Sequence, residues 1–524
     1  MSGQPAIKAL IIYAVCIPLA LFLGYQITDL AWMSRESLAT VGIVLAVLVT
    51  PILLKWHRPI LYFTINTGLM AFFVPGRPKL GMVMVALSLT ISVLHRILQP
   101  RSKFLHAPEI ARPVIAVIVV LLFTAFLRGG IGFNAFGGST VGGSRYAILL
   151  LGMLSFFAFT AEPIPEKSRN LYLGLFFLSG VTAVVGDFFS LLPQTSFIIY
   201  IYLLFPSVNV SAATTEFEVG ATRLFGFTGM AAAFYHFMLA KYGVRGIFME
   251  AKRLRLLIFC GVFATAFLGG FRSVIIHFVL LFFVMFYLEK LYRSRLVVPL
   301  ILAGVLVASV TVIFLPKMPF VFQRALAFLP VNISPEARMD AAGSSEWRVQ
   351  MWKAVWPEVP NYLLLGKGLG FAEADYLAIT DRSLSRSPDQ WMWAVITGDY
   401  HSGPLSILLT FGLWGAIAFI WLHISGWRVL VLNFRNGDPS LRIINAFLLT
   451  KFVVHMITFW FVAGSMHGDA FIFASLLGFS VSLNGGVCRV PAAVSEPVKA
   501  TSPTPPRREG LRLRPGLGAP PANI

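Results

Sequence analysis

The chain has 524 residues, of which 57% are hydrophobic and only 12% are charged, and its formal net charge is +19. Its mean hydropathy is +0.78, whereas about 25% of the residues of a soluble domain are charged. These values exclude a soluble protein, a disordered chain and a disulfide scaffold. Solid apolar runs, in place of short alternating segments, indicate an all-α, polytopic integral membrane bundle and not a membrane barrel.

Apolar runs bounded by charged or turn residues predict about 12 to 14 membrane spans along the chain. In chain order the runs cover 8–24, 38–54, 59–75, 80–97, 113–128, 146–161, 170–189, 224–240, 254–270, 273–288, 296–315, 402–425, 443–463 and 469–484. No small-x-small cleavage site follows the first run, so we expect it to remain as an anchor.

The topology follows from the basic connections, because cytoplasmic loops of membrane proteins collect Lys and Arg. Four such connections fall on the same side if the spans alternate, which places both termini in the cytoplasm; they are 96–112, 241–255, 289–295 and 426–442. The positive net charge therefore has a topological cause, and we expect no nucleic-acid partner.

The organisation along the chain predicts three regions. Residues 1–222 form the N-terminal helices, and 223–484 form a catalytic region that includes one large outer loop, 316–400. An external loop of this length predicts a function. Residues 485–524 are rich in Pro and Arg and predict a disordered cytoplasmic tail; a contact with anionic lipid or a partner is the alternative.

The large outer loop carries two recognisable segments. Residues 346–356 predict a short amphipathic helix at the membrane interface, ended by Pro357, with an apolar face that includes Trp347, Met351, Ala354 and Val355. The following glycine-rich stretch predicts a flexible loop in which Gly368 and Gly370 approach a ligand closely.

Four polar residues are predicted at the outer surface: Arg223, Arg272, Arg348 and His401. Each one alone has a simpler explanation, since arginines at span ends reach toward headgroups and an interfacial histidine can be merely solvated. As a set they indicate a different role. Guanidinium groups bind pyrophosphate oxygens bidentately, and a histidine can accept a proton from a sugar hydroxyl.

These residues lie in segments that resemble the bacterial O-antigen ligase and O-antigen polymerase (Wzy-like) superfamily. The similar segments are Arg223-Leu-Phe-Gly-Phe-Thr-Gly, Gly270-Phe-Arg272-Ser, Arg348-x-x-x-Trp352-Lys-Ala with the Gly-Lys-Gly-Leu-Gly stretch after Leu365, and His401-Ser-x-x-Leu405 followed by Phe411-Gly-Leu-Trp-Gly415. The resemblance covers about 220–420 in order, although Ser402 stands where the family usually has Asn.

The resemblance implies a GT-C-like glycosyltransferase of the bacterial inner membrane that needs neither a metal nor a cofactor. The implied donor is a glycan on undecaprenyl pyrophosphate, and the implied acceptor is lipid A-core or another glycan. By this analogy Arg223 and Arg272 hold the pyrophosphate, Arg348 helps to close the loop on the donor, and His401 is the general base. The first outer loop, 25–36, contains only Asp29 and Glu36 as acids, which argues against enzymes that depend on an acidic pair there.

Other functions stay open at this point. A repeat-unit polymerase of O-antigen or exopolysaccharide would differ from a ligase only in its acceptor. A flippase or transporter for lipid-linked glycans would show internal repeats and charges within the spans. A peptidoglycan-type polymerase would place an acidic catalytic residue in the outer loop.

Overall fold

The computed structural model describes residues 35–489, with gaps at 73, 75–76, 100–103, 131–141, 193–197, 208–223, 251, 296 and 371–390. The described part is helical and contains no strand, only an isolated bridge between Met70 and Lys79. Its α-helices in chain order are α1 Arg35–Thr64, α2 Leu80–Leu98, α3 Pro108–Arg128, α4 Gly143–Phe159, α5 Arg169–Leu178, α6 Val184–Ser190, α7 Ile198–Leu204, α8 Phe225–Phe248, α9 Arg253–Thr265, α10 Arg272–Leu288, α11 Val297–Phe314, α12 Phe320–Ala325, α13 Pro335–Val355, α14 Val359–Tyr362, α15 Trp391–Thr397, α16 Gly403–Asn436, α17 Arg442–Ile457 and α18 Met466–Asn484.

The helices confirm the predicted polytopic membrane fold. Within the described ranges, 7 stretches are long and apolar enough to cross a membrane, and they are Leu80–Leu98, Pro108–Arg128, Glu166–Ser190, Val297–Lys317, Gly403–Asn436, Pro439–Val462 and Met466–Asn484. The helices α4 and α10 are shorter but equally apolar. The predicted first span, 8–24, lies outside the described residues.

The predicted division of the first described region is wrong. The runs 38–54 and 59–75 were expected to be separate spans, but one helix, α1, continues through Pro51 and Pro59 and ends at Thr64. Proline removes one backbone hydrogen bond from a helix, and helices in membranes tolerate this where neighbouring groups satisfy the freed carbonyl. The chain then turns, and the Met70 amide donates to the Leu204 carbonyl over 2.9 Å.

The bundle packs around interlocking aromatic side chains. Tyr62 of α1 lies edge-on to Phe159 of α4, with ring centroids 4.5 Å apart. Phe176 of α5 stacks on Phe479 of α18, also at 4.5 Å. In contrast, no residue of α11 is buried against the rest of the described chain. A helix that is apolar on every side and leaves its side chains largely uncovered suits direct contact with lipid.

The basic connections gather at one end of the bundle. The Glu289 carboxylate, which follows α10, accepts the Val244 and Arg245 amides at the end of α8. Lys290 and Arg435 line one cavity at the same end. The opposite end holds the first residues of α10 and α16, which carry the candidate site.

Up to Cys488 the chain forms one compact unit. The domain boundary between residues 222 and 223 therefore stays a prediction. The tail predicted at 485–524 lies, beyond Arg489, outside the described residues.

Candidate active site

The first element of the site is the turn that leads into α10. A 3₁₀ turn, Ala266–Gly269, is followed by Gly270 in the left-handed conformation with φ 65° and ψ 19°. A Cβ at this position would lie 3.0 Å from the Val321 side chain. Glycine therefore fits both the backbone conformation and the available space, and it allows α10 to begin at Arg272.

Arg272 connects α10 to the long helix of the outer loop. Its guanidinium donates to the Ala341 carbonyl over 2.9 Å and to the Ser345 hydroxyl over 3.2 Å, and both acceptors belong to α13. The helix α13 itself begins earlier than residue 346, the predicted start. Ser334 caps it by accepting the Ala337 amide, and Pro335 occupies its first turn, where the missing amide costs nothing.

A third arginine, which the sequence analysis did not single out, lies beside Arg272. Arg324 of α12 is only 5% exposed. Its guanidinium bonds the Asp340 carboxylate, the Ser344 hydroxyl at 2.9 Å and the Gly270 carbonyl at 2.6 Å. The sequence feature that could have identified Arg324 is its position within the apolar segment 320–329, because a charge buried in such a segment requires partners.

These arginines surround a cavity of about 330 Å³ between α10, α12 and α13. Three guanidinium groups line it together with the hydroxyls of Ser344 and Ser345; the arginines are Arg272, Arg324 and Arg348. Among the described residues no carboxylate lines this cavity, and Asp340, which pairs with Arg324, brings one negative charge against the three positive charges. Burial lowers the pKa of Arg348, but an arginine side chain stays charged at neutral pH. The cavity is therefore electropositive and suited to an anion.

A second cavity, of about 400 Å³, lies beside the same part of α13, and His401 lines it. Ser344 and Arg348 line both cavities. Trp347 lies next to His401 in the second cavity, with ring centroids 5.4 Å apart. Trp347 and Arg348 lie three and four positions after Ser344 in α13, and the three residues therefore share one helix face. For this reason all three line the second cavity.

His401 is held by its neighbours in an unusual backbone conformation. Its φ is +46°, which is uncommon for a residue other than glycine. The preceding residue, Tyr400, is completely buried in a small apolar cluster with Met351 and Val355 of α13. The Tyr400 carbonyl also accepts the Trp352 indole N–H over 2.8 Å. This packing holds the backbone conformation and turns the His401 side chain toward α13.

The glycine-rich stretch packs against the protein itself. Within α16, Gly412 has φ 66° and ψ −161° and interrupts the helix. The amides of Lys367 and Gly368 donate to the carbonyls of Leu409 and Thr410 that the interruption exposes, over 2.7 and 3.0 Å. This pairing satisfies backbone groups that would otherwise be unpaired inside the protein.

The comparison with known families agrees with this geometry. Residues 256–420 match the family model described as O-antigen ligase, Wzy_C. This segment belongs to the O-antigen ligase family. No curated protein matches the chain. The match confirms the predicted resemblance and supports a role in O-antigen and polysaccharide biosynthesis as a glycosyltransferase-like enzyme. Together with the apolar helices it indicates a multi-pass membrane protein.

The O-antigen ligase segment contains most of the predicted site residues. The structure brings Arg272, Arg348 and His401 together along one face of α13. Arg223 lies outside the described residues. In the part of the chain that the structure describes, no cluster of three or more His, Cys, Asp or Glu side chains is arranged to hold a metal ion, and a metal-free reaction stays a prediction.

The two predicted loop glycines line neither of the two cavities beside α13. A Cβ on Gly368 would lie 2.7 Å from the Tyr146 hydroxyl, and a Cβ on Gly370 would lie 2.8 Å from the Gly130 Cα. Gly368 packs against α3 and α4 with φ +79°, and Gly370 packs against the backbone that follows α3. A direct role of these glycines at a ligand stays a prediction.

Proposed function

We propose that the protein is an O-antigen ligase-type glycosyltransferase that moves a glycan from undecaprenyl pyrophosphate to an acceptor hydroxyl. The acceptor is lipid A-core or another glycan, and the reaction takes place at the periplasmic face of the inner membrane. The observation that carries the proposal is the shared wall of the two cavities, where Arg348 and Ser344 line both. An anion in the first cavity would lie next to a hydroxyl in the second.

The arginine-lined cavity would hold the pyrophosphate of the donor. Guanidinium groups offer forked N–H donors that match phosphate oxygens. Arg324 already bonds Asp340, so Arg272 and Arg348 are the groups left to face the ligand. Their charge would stabilise the negative charge that develops on the leaving pyrophosphate. The same role for Arg223 rests on the family resemblance alone.

His401 would act as the general base of the transfer. The acceptor oxygen forms a bond to the anomeric carbon of the donor sugar while the bond from that carbon to the phosphate oxygen breaks. The electron pair of the broken bond leaves with undecaprenyl pyrophosphate, and the hydroxyl proton passes to the His401 imidazole. Histidine suits this step because its usual pKa lies near neutral pH. No step requires a metal or a cofactor.

The position of the site suits a lipid-linked donor. Arg272 is the first residue of the apolar helix α10, and His401 lies two residues before α16. Both are therefore at the membrane surface, where a prenyl chain can stay in the lipid. The basic connections lie at the opposite end of the bundle, which supports the proposal that this end and both termini face the cytoplasm.

The polymerase alternative uses the same site with a different acceptor. The transporter alternative has one observation in its favour, because Lys451 lies within the apolar helix α17, with its Nζ 3.3 Å from His236 Nε2. A charged side chain within a span is one of the features that the transporter alternative predicts. Ionisable groups inside a membrane often mark transport pathways, so the decisive experiment must separate transfer from transport.

That experiment compares His401→Asn with wild type in the native host from which the gene has been deleted. Asparagine tolerates a positive φ, so this variant keeps the backbone conformation and removes the base. The matched control is His106→Asn, an exposed histidine that lines neither cavity. The readouts are the surface-glycan ladder and the amount of lipid-linked donor on the outer face of the membrane.

We expect His401→Asn to abolish extended or ligated glycan while the outward-facing donor accumulates, and His106→Asn to restore the wild-type ladder. Glycan missing only from lipid A-core would indicate a ligase, and shortened chains would indicate a polymerase. Donor retained on the inner face in the deletion strain would indicate a transporter. A normal ladder with His401→Asn at matched protein level would contradict the role of His401 as base.

A further inference from the structure

A second electropositive cavity lies at the end of the bundle opposite His401. It has a volume of about 440 Å³ and lies between the end of α10 and the connection from α16 to α17. Its walls include Tyr287, Lys290, Tyr292, Arg435 and Arg442. The volume falls in the range of small-ligand sites in proteins, roughly 300 to 1,000 Å³.

Three cations from three separate elements line this cavity. Lys290 follows α10, Arg435 lies in the last turn of α16, and Arg442 is the first residue of α17. All three side chains are exposed. Among the residues that the structure describes, none of the three takes part in an ion pair with an acid.

The acids that are nearest in sequence are engaged elsewhere. Glu289 accepts the Val244 and Arg245 amides over 2.7 and 2.8 Å. Asp438 pairs with Arg169 over 2.8 Å and accepts the Ser440 amide over 2.9 Å. No carboxylate lines the cavity, so nothing in its walls neutralises the three positive charges.

The aromatic residues of the cavity indicate its depth in the membrane. Tyr287 and Tyr292 stack with ring centroids 5.5 Å apart, and the Arg293 guanidinium lies 5.4 Å from the Tyr292 ring. Tyrosine is enriched at the level of lipid headgroups. The apolar helix α10 ends at Leu288, beside this stack. The cations therefore lie where the phosphate of a membrane lipid would lie.

We propose that this cavity binds the phosphate group of an anionic lipid in the leaflet opposite the transfer site. Lys and Arg in pockets between membrane helices provide the charge-assisted hydrogen bonds that such headgroups require. The site would also stabilise the bundle, because a bound headgroup would join the end of α10 to the start of α17. These helices belong to the same bundle as the active site, but the proposal is independent of the transfer reaction.

The test uses the full chain purified in a neutral detergent. Its thermal unfolding midpoint is followed as short-chain phosphatidylglycerol is added, with phosphatidylcholine and inorganic phosphate as separate probes. The triple variant is Lys290→Gln, Arg435→Gln and Arg442→Gln. The control triple variant is Lys167→Gln, Lys252→Gln and Arg253→Gln, which removes three exposed cations of the same end that do not line the cavity.

We expect phosphatidylglycerol to raise the unfolding midpoint of the wild type and of the control variant, and phosphatidylcholine to do so far less. A hydrogen bond to a charged group changes affinity about tenfold, and only the cavity variant loses such donors, so it should bind phosphatidylglycerol at least about a hundredfold more weakly. Equal protection by inorganic phosphate, lost in the same variant, would assign the site to a free phosphate and not to a headgroup.

Two further outcomes would overturn the proposal. One is a cavity variant that responds to phosphatidylglycerol as the wild type does. The other is a control variant that loses the response to the same extent, since this would show a diffuse effect of surface charge. The three cavity cations are exposed, so their replacement should leave the midpoint without lipid close to that of the wild type.

Discussion

Arg324 donates a hydrogen bond of 2.6 Å to the carbonyl of Gly270, two residues before Arg272. The same guanidinium holds Asp340 and Ser344 of α13. Through these bonds Arg324 fixes the distance between the start of α10 and the helix that carries Arg348. It therefore acts as a positioning residue for the two arginines that face the proposed donor.

Replacing Arg324 should reduce both stability and transfer. Arg324→Leu removes the guanidinium that pairs with the partly buried Asp340, and breaking a buried ion pair from one side costs roughly 3 kcal/mol of unfolding free energy. The double variant Arg324→Leu with Asp340→Leu should recover much of this stability without recovering transfer, because the bond to Gly270 stays lost. Thermal unfolding and glycan transfer measured on the same samples separate the two effects. Wild-type transfer in the double variant would contradict the positioning role.

Replacing Arg348 by lysine tests whether the donor site needs a guanidinium fork. Arg348→Lys keeps the charge but loses bidentate hydrogen bonding. Hydrogen bonds to charged groups contribute about 1.5 to 3 kcal/mol, so kcat/KM should fall roughly 10- to 100-fold. The assay follows release of undecaprenyl pyrophosphate by the purified protein. The matched control is Arg253→Lys at the opposite end of the bundle, and an equal loss in this control would contradict the assignment.

The sequence was sufficient to predict that the candidate residues Arg272 and His401 lie at the same end of the bundle. Apolar runs located the starts of α10 and α16, so Arg272 and His401 were predicted at the same face. The helical spacing in the outer loop predicted that Met351 and Val355 share a face, and both are buried. Ala354, predicted on the same face, is exposed. The local pattern was therefore correct for Met351 and Val355 and wrong for Ala354, because packing in the folded protein decides how far the covered side of a helix extends.

Long-range contacts could not be predicted from local patterns. The bond from Arg324 to Gly270 joins residues 54 positions apart, and nothing in either segment specifies the other. The continuation of α1 through Pro51 and Pro59 also depends on surroundings, because a proline ends a helix in water more readily than in a membrane. The interruption of α16 at Gly412 also depends on distant residues, because the amides of Lys367 and Gly368 donate to the helix carbonyls just before it.

This interruption leads to a stability prediction. Gly412→Ala places a side chain where φ is +66°, and its Cβ would lie only about 2.4 Å from the Leu364 carbonyl oxygen. We expect a loss of at least 1 to 3 kcal/mol, roughly the cost of one strained backbone site. Gly261→Ala is the control, because nothing lies within 4 Å of a Cβ there and alanine favours a helix interior. Equal unfolding midpoints for the two variants would contradict the packing of residues 366–368 against α16.

Lys367 gives the outer loop a dependence on alkaline pH. Its Nζ lies 3.0 Å from Glu358 Oε2 and 5.8 Å from the centre of the Tyr400 ring. Burial lowers the pKa of Lys367, but Tyr400 and Glu358 outweigh burial, so the net shift of the pKa is upward. A lysine whose folded pKa is raised stabilises the fold below its unfolded pKa, about 10.4, and this contribution is lost as the pH rises through the folded value.

The measurement is the thermal unfolding midpoint from neutral pH to above pH 10, in wild type and in Lys367→Met. We expect Lys367→Met to be less stable at neutral pH, where the wild-type lysine pairs with Glu358, and the two midpoints to converge at strongly alkaline pH. Lys353→Met on the exposed side of α13 is the control, and it should change the alkaline profile little. Parallel profiles for Lys367→Met and wild type would show that this pair does not stabilise the loop beside Tyr400 and His401.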